Sequence, residues 1–543
     1  MIRRLGIALL LAAIGLAQDV FAQDVSRMEQ VVQASVSDKT FMGSVLVARG
    51  DEILLSKGYG SANLEWDIPN TPNTKFRLGS VTKQFTAASI LLLEERGKLT
   101  TDDLVKKFMP DAPAAWDKIT IFHLLTHTSG IPNFTAFPDY QSQQPFAATP
   151  EKLVARFRDK PLDFEPGEKW SYSNSGYVLL GYVLEKASGE TYENFVQANI
   201  FEPLGMKDSG YDSNSAILLR RAAGYARGKD GAVNAGFIHM SIPFSAGALY
   251  STTEDLLRWE QGLFGGKVLS AASLAKMTAP FKSDYACGVS VRTVSGHKVI
   301  DHGGGIEGFN TFLAYYPEHK LTVVALANLN GRAPQEIVTR LAALARGENV
   351  ELPSERKEIS VAPQILEQYV GTYELEPKIN MMIRLQDGQL ISQLSGQGKV
   401  PLFATSESKF FPKVVDAEIE FGRDEKGAVT YLVLHQGGRD RKAPRTSDTV
   451  VERKEIAVSS EILAQYAGTY ELRPGFDMVI TLEGDQLISQ ATGQGKIPLF
   501  AESETKFFPK VMDAEIEFLK DDQGAVSHLV LHQGRAEIKA PKK

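Results

Sequence analysis

A chain of 543 residues with a formal net charge of −7 is too long for one hydrophobic core and too acidic for a general phosphate-binding surface. The reading is several domains and no nucleic-acid partner. Its single cysteine, Cys287, excludes an internal disulfide, so the domains must be held by their own cores.

At the N-terminus, MIRR supplies positive charge, and LGIALLLAAIGLA is an apolar run of thirteen residues, too short to span a bilayer. Val20-Phe21-Ala22 places small residues where a signal peptidase reads. Residues 1–22 are therefore expected to be a secretory signal peptide cleaved after Ala22, the alternative being an uncleaved anchor. No cysteine follows the run, so a lipid anchor is not expected. No later segment is long and apolar enough to span a membrane. The expected location is beyond the inner membrane, in the periplasm.

Residues 23–350 form the next region. It opens on a hairpin pattern, GSVLVARGDEILLSKGYG, and closes on another, GFNTFLAYYPEHKLTVVALANLN, followed by a helix, PQEIVTRLAALARG. Between them the periodicity predicts helices over 81–97, 151–158, 175–187, 192–199 and 253–264. Strands at both sequence ends with helices between them imply an α/β (α+β) domain: one antiparallel sheet plus a helical subdomain, with a cleft between the lobes. Cys287, in DYACGVSV, reads as a small buried strand residue.

The C-terminal part is duplicated. Residues 355–437 and 452–534 align without a gap at an offset of 97, with 56 of 83 positions identical. Alternations such as FDMVITLEGDQLISQ, broken by Gly/Asp turns, predict antiparallel hairpins closing into small β-barrels. The barrels are placed at 355–440 and 452–540. Each carries one equivalent histidine, His435 or His532, read as a barrel residue.

Three short motifs could carry chemistry. Ser-x-x-Lys occurs six times, but only Ser80-Val-Thr-Lys83 has a glycine before it and a long helix after it. A serine and a lysine three residues apart share a helix face. The positive helix terminus and burial would both favour a neutral lysine, able to take the serine proton. The bland alternative is a capping serine beside a solvated lysine. In YSN, Tyr172 and Asn174 stand two apart on an extended loop, a phenol to move a proton and an amide to bind a carbonyl, unless Ser173 or Asn174 is simply an N-cap. In HGGG, His302 precedes Gly303, Gly304 and Gly305, which leave backbone N–H groups open to a ligand, unless this is a plain turn. No metal or cofactor is expected, and His123 and His127 in HLLTHTSGIP are read as structural.

In this order, SVTK, YSN and HGG resemble the serine β-lactamase and penicillin-binding superfamily, in the branch of class C β-lactamases, DD-carboxypeptidases, D-aminopeptidases and β-lactamase-like esterases. FRLGSVTKQFTA, FEPGEKWSYSNSGY, IFEPLGMKDSG and AGALYSTTEDLLRW carry the likeness across about residues 30–345. The resemblance implies that Ser80 is the nucleophile, Lys83 its base and Tyr172 the proton shuttle. It implies substrate contacts at Asn174, His302, Gly303 and Gly304, and an oxyanion hole from the N–H groups of Ser80 and Gly305. His302 stands where β-lactamases of the branch carry lysine. A histidine charges only on acidification, so affinity for carboxylate substrates is expected to fall as pH rises through about 6 to 7. The barrels resemble lipocalin-like appendages of some D-aminopeptidase-like members, as lids or as spacers. The implied function is an exported serine hydrolase acting on D-amino-acid peptides, amides or esters, cell-wall peptides among them. An esterase, a β-lactamase and a non-catalytic cell-wall peptide-binding protein are the alternatives.

Overall fold

A computed structural model of the chain describes residues 25–543 except 229–230, 353–354, 378, 416, 437–438, 451–452, 474–475 and 535. The expected signal peptide, residues 1–22, lies outside the described residues. Two compact units follow one another, one ending at Val350 and one running from Glu351 to Lys543.

The first unit is built on a six-stranded antiparallel sheet. Its strands are β1 (Gly43–Arg49), β2 (Glu52–Tyr59), β3 (Ser290–Val294), β4 (His297–Ile306), β5 (Phe309–Tyr316) and β6 (Leu321–Ala327), in the order β3-β4-β5-β6-β1-β2. The two ends of the sequence meet at its centre, where Gly43 to Arg49 pair with Ala327 to Leu321. Every residue of β6 is buried, as are six of the seven in β1. Their continuous apolar runs therefore mean cover on both faces rather than a wet side.

The helices that matter to the site are α1 (Thr82–Glu95), α2 (Pro150–Arg158), α3 (Asn174–Ser188), α4 (Phe244–Gly247), α5 (Thr253–Phe264) and α6 (Ala333–Ala345). All residues of α1 from Thr82 to Leu93 are buried, the polar Thr82, Lys83, Gln84, Thr86 and Ser89 included. It packs against α3 and α4, with Phe85 stacked on Trp259 at 4.2 Å. Helix α3 ends at Gly189, whose φ of +79° is the left-handed turn that stops a helix.

In the second unit, the first barrel has eight strands, from Gly371–Glu376 to Arg439–Ser447, each paired with its sequence neighbour, and closes where Thr372 pairs with Ser447. The second repeats this from Gly468–Arg473 to Ala536–Pro541, with Tyr470 bridging Lys542. The duplication is visible in the cores. Tyr369 stacks on Phe421 at 4.1 Å, and Tyr466, 97 residues on, stacks on Phe518 at 4.3 Å. Among the described residues no helix is long and apolar enough to cross a membrane.

Candidate active site

Ser80 does not lie in an α-helix. It sits in a 3-10 turn, Gly79–Val81, that feeds into α1, so Lys83 is the second residue of the helix. The turn requires Gly79, whose φ is +54°. A Cβ there would lie 2.8 Å from the Gly305 nitrogen, and one on Gly304 would lie 1.9 Å from the Leu78 carbonyl oxygen. The glycine run of β4 is thus what lets two backbones touch, and it brings Gly305 beside the Ser80 turn.

Lys83 is completely buried. Its Nζ lies 2.9 Å from Ser80 Oγ, 2.9 Å from Asn174 Oδ1 and 2.8 Å from the Ala246 carbonyl. Burial holds its pKa well below the usual lysine value. A neutral amine has two hydrogens and one lone pair. Asn174 Oδ1 and the Ala246 carbonyl can only accept, so they take both hydrogens and leave the lone pair facing Ser80.

The Tyr172 hydroxyl donates to Ser80 Oγ at 2.7 Å. Burial raises this phenol, against the opposing effect of the Ser80 contact, so Tyr172 keeps its proton. The loop carrying it is fixed from behind. Ser173 N donates to His127 Nδ1 at 3.1 Å, Ser173 Oγ donates to the Ile131 carbonyl at 3.0 Å, and Asn174 N donates to Asn133 Oδ1 at 3.1 Å. Accepting at Nδ1 places the proton of a neutral His127 on Nε2. Its ring packs 4.4 Å from Tyr172 and 4.7 Å from Tyr285, and burial holds it neutral. Ser173 occupies the N-cap position of α3, but its side chain does not cap the helix.

A cavity of about 500 Å³ opens at Ser80. Asn174 and Gly305 also border it, with Thr135, Tyr140, Glu307 and Asn330 among the remaining polar walls. The structure therefore brings Ser80, Lys83, Tyr172, Asn174 and Gly305 together. Asn174 is held at both ends of its amide, by Lys83 and by Thr135 Oγ1 at 3.1 Å, which ties it to the lysine as well as to the cavity.

Lys83, Tyr172, His302, Gly303 and Gly304 are not among the described residues lining the cavity, and the His302 ring lies 6.4 Å from that of Tyr172. His302 is buried, with Nε2 3.0 Å from the Tyr285 hydroxyl and Nδ1 2.6 Å from the Gly303 carbonyl. Burial, then the nearby Lys83, lower its pKa to about 3. A histidine held neutral across pH 6 to 7 gives no support to a switch of carboxylate affinity there.

Asn133, Thr135, Ala246, Tyr285, Glu307 and Asn330 escaped the sequence reading. They come from five separate segments with no motif spacing. Only Glu307 carried a local signal, standing two residues beyond the glycine run.

Comparison with known proteins agrees with this geometry. The family model "Beta-lactamase" matches residues 28–347, and a "Domain of unknown function (DUF3471)" matches 355–445 and again 452–540. Penicillin-binding protein 4* of Bacillus subtilis is 30% identical over 439 residues, covering 75% of this chain and 95% of that protein. Among solved structures, a penicillin binding protein from Bacillus halodurans superposes with a TM-score of 0.53 at 30% identity, covering 58% of this chain and 98% of that one. A D-stereospecific amidohydrolase from Streptomyces sp. does so with a TM-score of 0.53 at 26% identity, covering 60% of this chain and 99% of that one.

Proposed function

From the premise that the chain belongs to the β-lactamase and penicillin-binding family of serine hydrolases, we propose that it is an exported enzyme acylated on Ser80 that cleaves amides or peptides of D-amino acids. The observation that carries the reading is the double contact on Ser80 Oγ, with Lys83 Nζ at 2.9 Å and the Tyr172 hydroxyl at 2.7 Å. One group is placed to take a proton and the other to give one.

In acylation, the lone pair of Lys83 takes the Ser80 proton as Oγ attacks the scissile carbonyl. Ser80 and Gly305 border the same cavity, and their N–H groups are the donors for the developing oxyanion. Tyr172 gives its proton to the leaving nitrogen as the C–N bond breaks. The proton on Lys83 then restores the phenol. Water reverses the sequence in deacylation and returns a proton to Ser80 Oγ.

The D-amide reading is supported by the similar D-stereospecific amidohydrolase. A dedicated β-lactamase is disfavoured, because among the described residues lining the cavity there is no cationic side chain to hold a lactam carboxylate. Export rests on the charged, apolar and small-residue pattern of residues 1–22.

The test is turnover of a p-nitrophenyl ester and of D-phenylalanine p-nitroanilide by wild type and Ser80→Ala, with intact mass recorded after mixing. Turnover by wild type with a transient acyl mass, both lost in Ser80→Ala, is expected. Activity that survives Ser80→Ala overturns the nucleophile. Hydrolysis of benzylpenicillin in preference to both substrates overturns the substrate class.

A further inference from the structure

Glu307 is the charged residue among the described side chains that line the cavity, whose other walls are polar, aromatic or aliphatic. It makes no ion pair or side-chain hydrogen bond among the described residues. Burial raises its pKa, against a hydrogen bond from its own backbone and the charge of Arg77, which is already committed, with Nε 2.7 Å from Asp212 Oδ2. A partly buried carboxylate without a side-chain partner is costly, and here it borders the same cavity as Ser80.

The residue is also held still. It belongs to the two-residue turn between β4 and β5. Gly308, the second turn residue, has φ +80°, and a Cβ there would lie 2.5 Å from Gly224 Cα. Asn330 ties the turn together: its Oδ1 accepts from Gly308 N at 2.8 Å, and its Nδ2 donates to the Ile306 carbonyl at 3.1 Å and to Asn310 Oδ1 at 2.9 Å. Two residues span at most about 7 Å of chain, so Glu307 stands within a side chain's reach of Gly305. In an aminoacyl substrate, the α-amine lies one carbon from the scissile carbonyl. A carboxylate this close to the oxyanion position meets that amine.

The other ionisable groups near Ser80 are held elsewhere. Lys83 spends its hydrogens on Asn174 and Ala246, and His302 is turned to Tyr285. A substrate bearing a carboxylate would face Glu307 with no compensating cation in the cavity wall. Across the cavity, Tyr140 senses the same charge: burial, then Glu307, raise its phenol.

We infer that Glu307 sets the specificity of this site, selecting substrates with a free cationic amine beside the scissile carbonyl over N-acylated or carboxylate-bearing ones. This rests on the reading of Ser80 as nucleophile, and it narrows the D-amide class to amino-terminally unblocked amides and peptides.

The test compares kcat and KM of wild type, Glu307→Gln and Glu307→Lys on D-phenylalanine p-nitroanilide, its N-acetyl form and its N-succinyl form. Wild type should prefer the free amine. In Glu307→Gln, the ratio of kcat/KM for free amine over N-acetyl should fall about tenfold to a hundredfold, mainly through KM, as for loss of one charge-assisted contact. Glu307→Lys should turn the preference toward the N-succinyl substrate. An unchanged ratio in Glu307→Gln, or a wild type that prefers the acylated forms, overturns the assignment. Calorimetry separates this from the parent reading. Ser80→Ala should bind D-phenylalaninamide more tightly than N-acetyl-D-phenylalaninamide and lose that preference when Glu307→Gln is added. Equal binding of the two overturns the Glu307 role whatever is turned over. Ester turnover surviving in Ser80→Ala overturns the nucleophile alone.

Discussion

Replacing His302 by glutamine tests the electrostatics of the site directly. His302 is 6% exposed, and its pKa is lowered from 6.5 to about 3. In the unfolded chain it returns to its ordinary value. A group depressed in the folded state contributes stability that is present above the unfolded value and is lost as pH falls toward the folded one. Between pH 7 and pH 4 the unfolded histidine takes up a proton that the folded one refuses, which removes about 3 kcal/mol of stability. Glutamine places an amide near the position of Nε2, keeps a partner for the Tyr285 hydroxyl and does not titrate. Urea unfolding of both proteins at pH 4, 5, 6 and 7 should show wild type losing about 3 kcal/mol more than His302→Gln over that interval. Parallel stability curves would mean that the folded histidine is protonated, and the argument for a neutral site would fail. For the same reason, wild-type affinity for a carboxylate substrate, measured against a neutral ester, should be flat from pH 6 to 7. A selective fall in that window would restore the switch expected from the sequence.

Two further outcomes follow from buried groups. Tyr172→Phe removes the proton donor while leaving the ring against His127, so kcat on an anilide should drop about 10²- to 10⁴-fold with the melting temperature held; a smaller loss would assign the proton to another group. Glu260, on α5, is 3% exposed, its Oε2 has no hydrogen-bond partner, and burial raises its pKa to about 8. A raised carboxyl gives stability that is full below about 4.5 and declines as pH rises toward 8, so Glu260→Gln should be more stable than wild type by about 3 kcal/mol at pH 7 and by under about 1 kcal/mol at pH 5. Equal stability at both pH values, in paired urea titrations, would refute this.

Much of the fold was legible because its signals are local. The helices expected over 81–97, 151–158 and 253–264 are Thr82–Glu95, Pro150–Arg158 and Thr253–Phe264. The one expected over 192–199 divides into an α-helix, Tyr192–Val196, and a π-turn, Gln197–Phe201, a departure that side-chain periodicity does not encode. Alternation in the duplicated segments was enough for antiparallel barrels, since a period of two with Gly/Asp turns leaves few other ways to bury one face. The pairing of β1 with β6, across almost the whole first unit, is a long-range contact. Two hairpin patterns at opposite ends suggested a single sheet, but not which strands pair within it.

The site divides along the same line. The groups that move protons lie in short motifs, and spacing could suggest them: Ser80 and Lys83 within one turn, Tyr172 and Asn174 on one loop. The state of those groups is set by what lies behind them, and that is assembled from distant segments. The Ala246 carbonyl, 163 residues from Lys83, takes one of the two hydrogens that leave the lysine lone pair for Ser80. His302, chosen in sequence as a titrating contact, is buried against the Tyr285 hydroxyl and held neutral. The charged side chain among the described residues lining the cavity is then Glu307, a turn residue with no motif of its own. The proposed nucleophile can thus be read from a four-residue word, whereas the proposed preference rests on which buried neighbours keep the other ionisable groups uncharged.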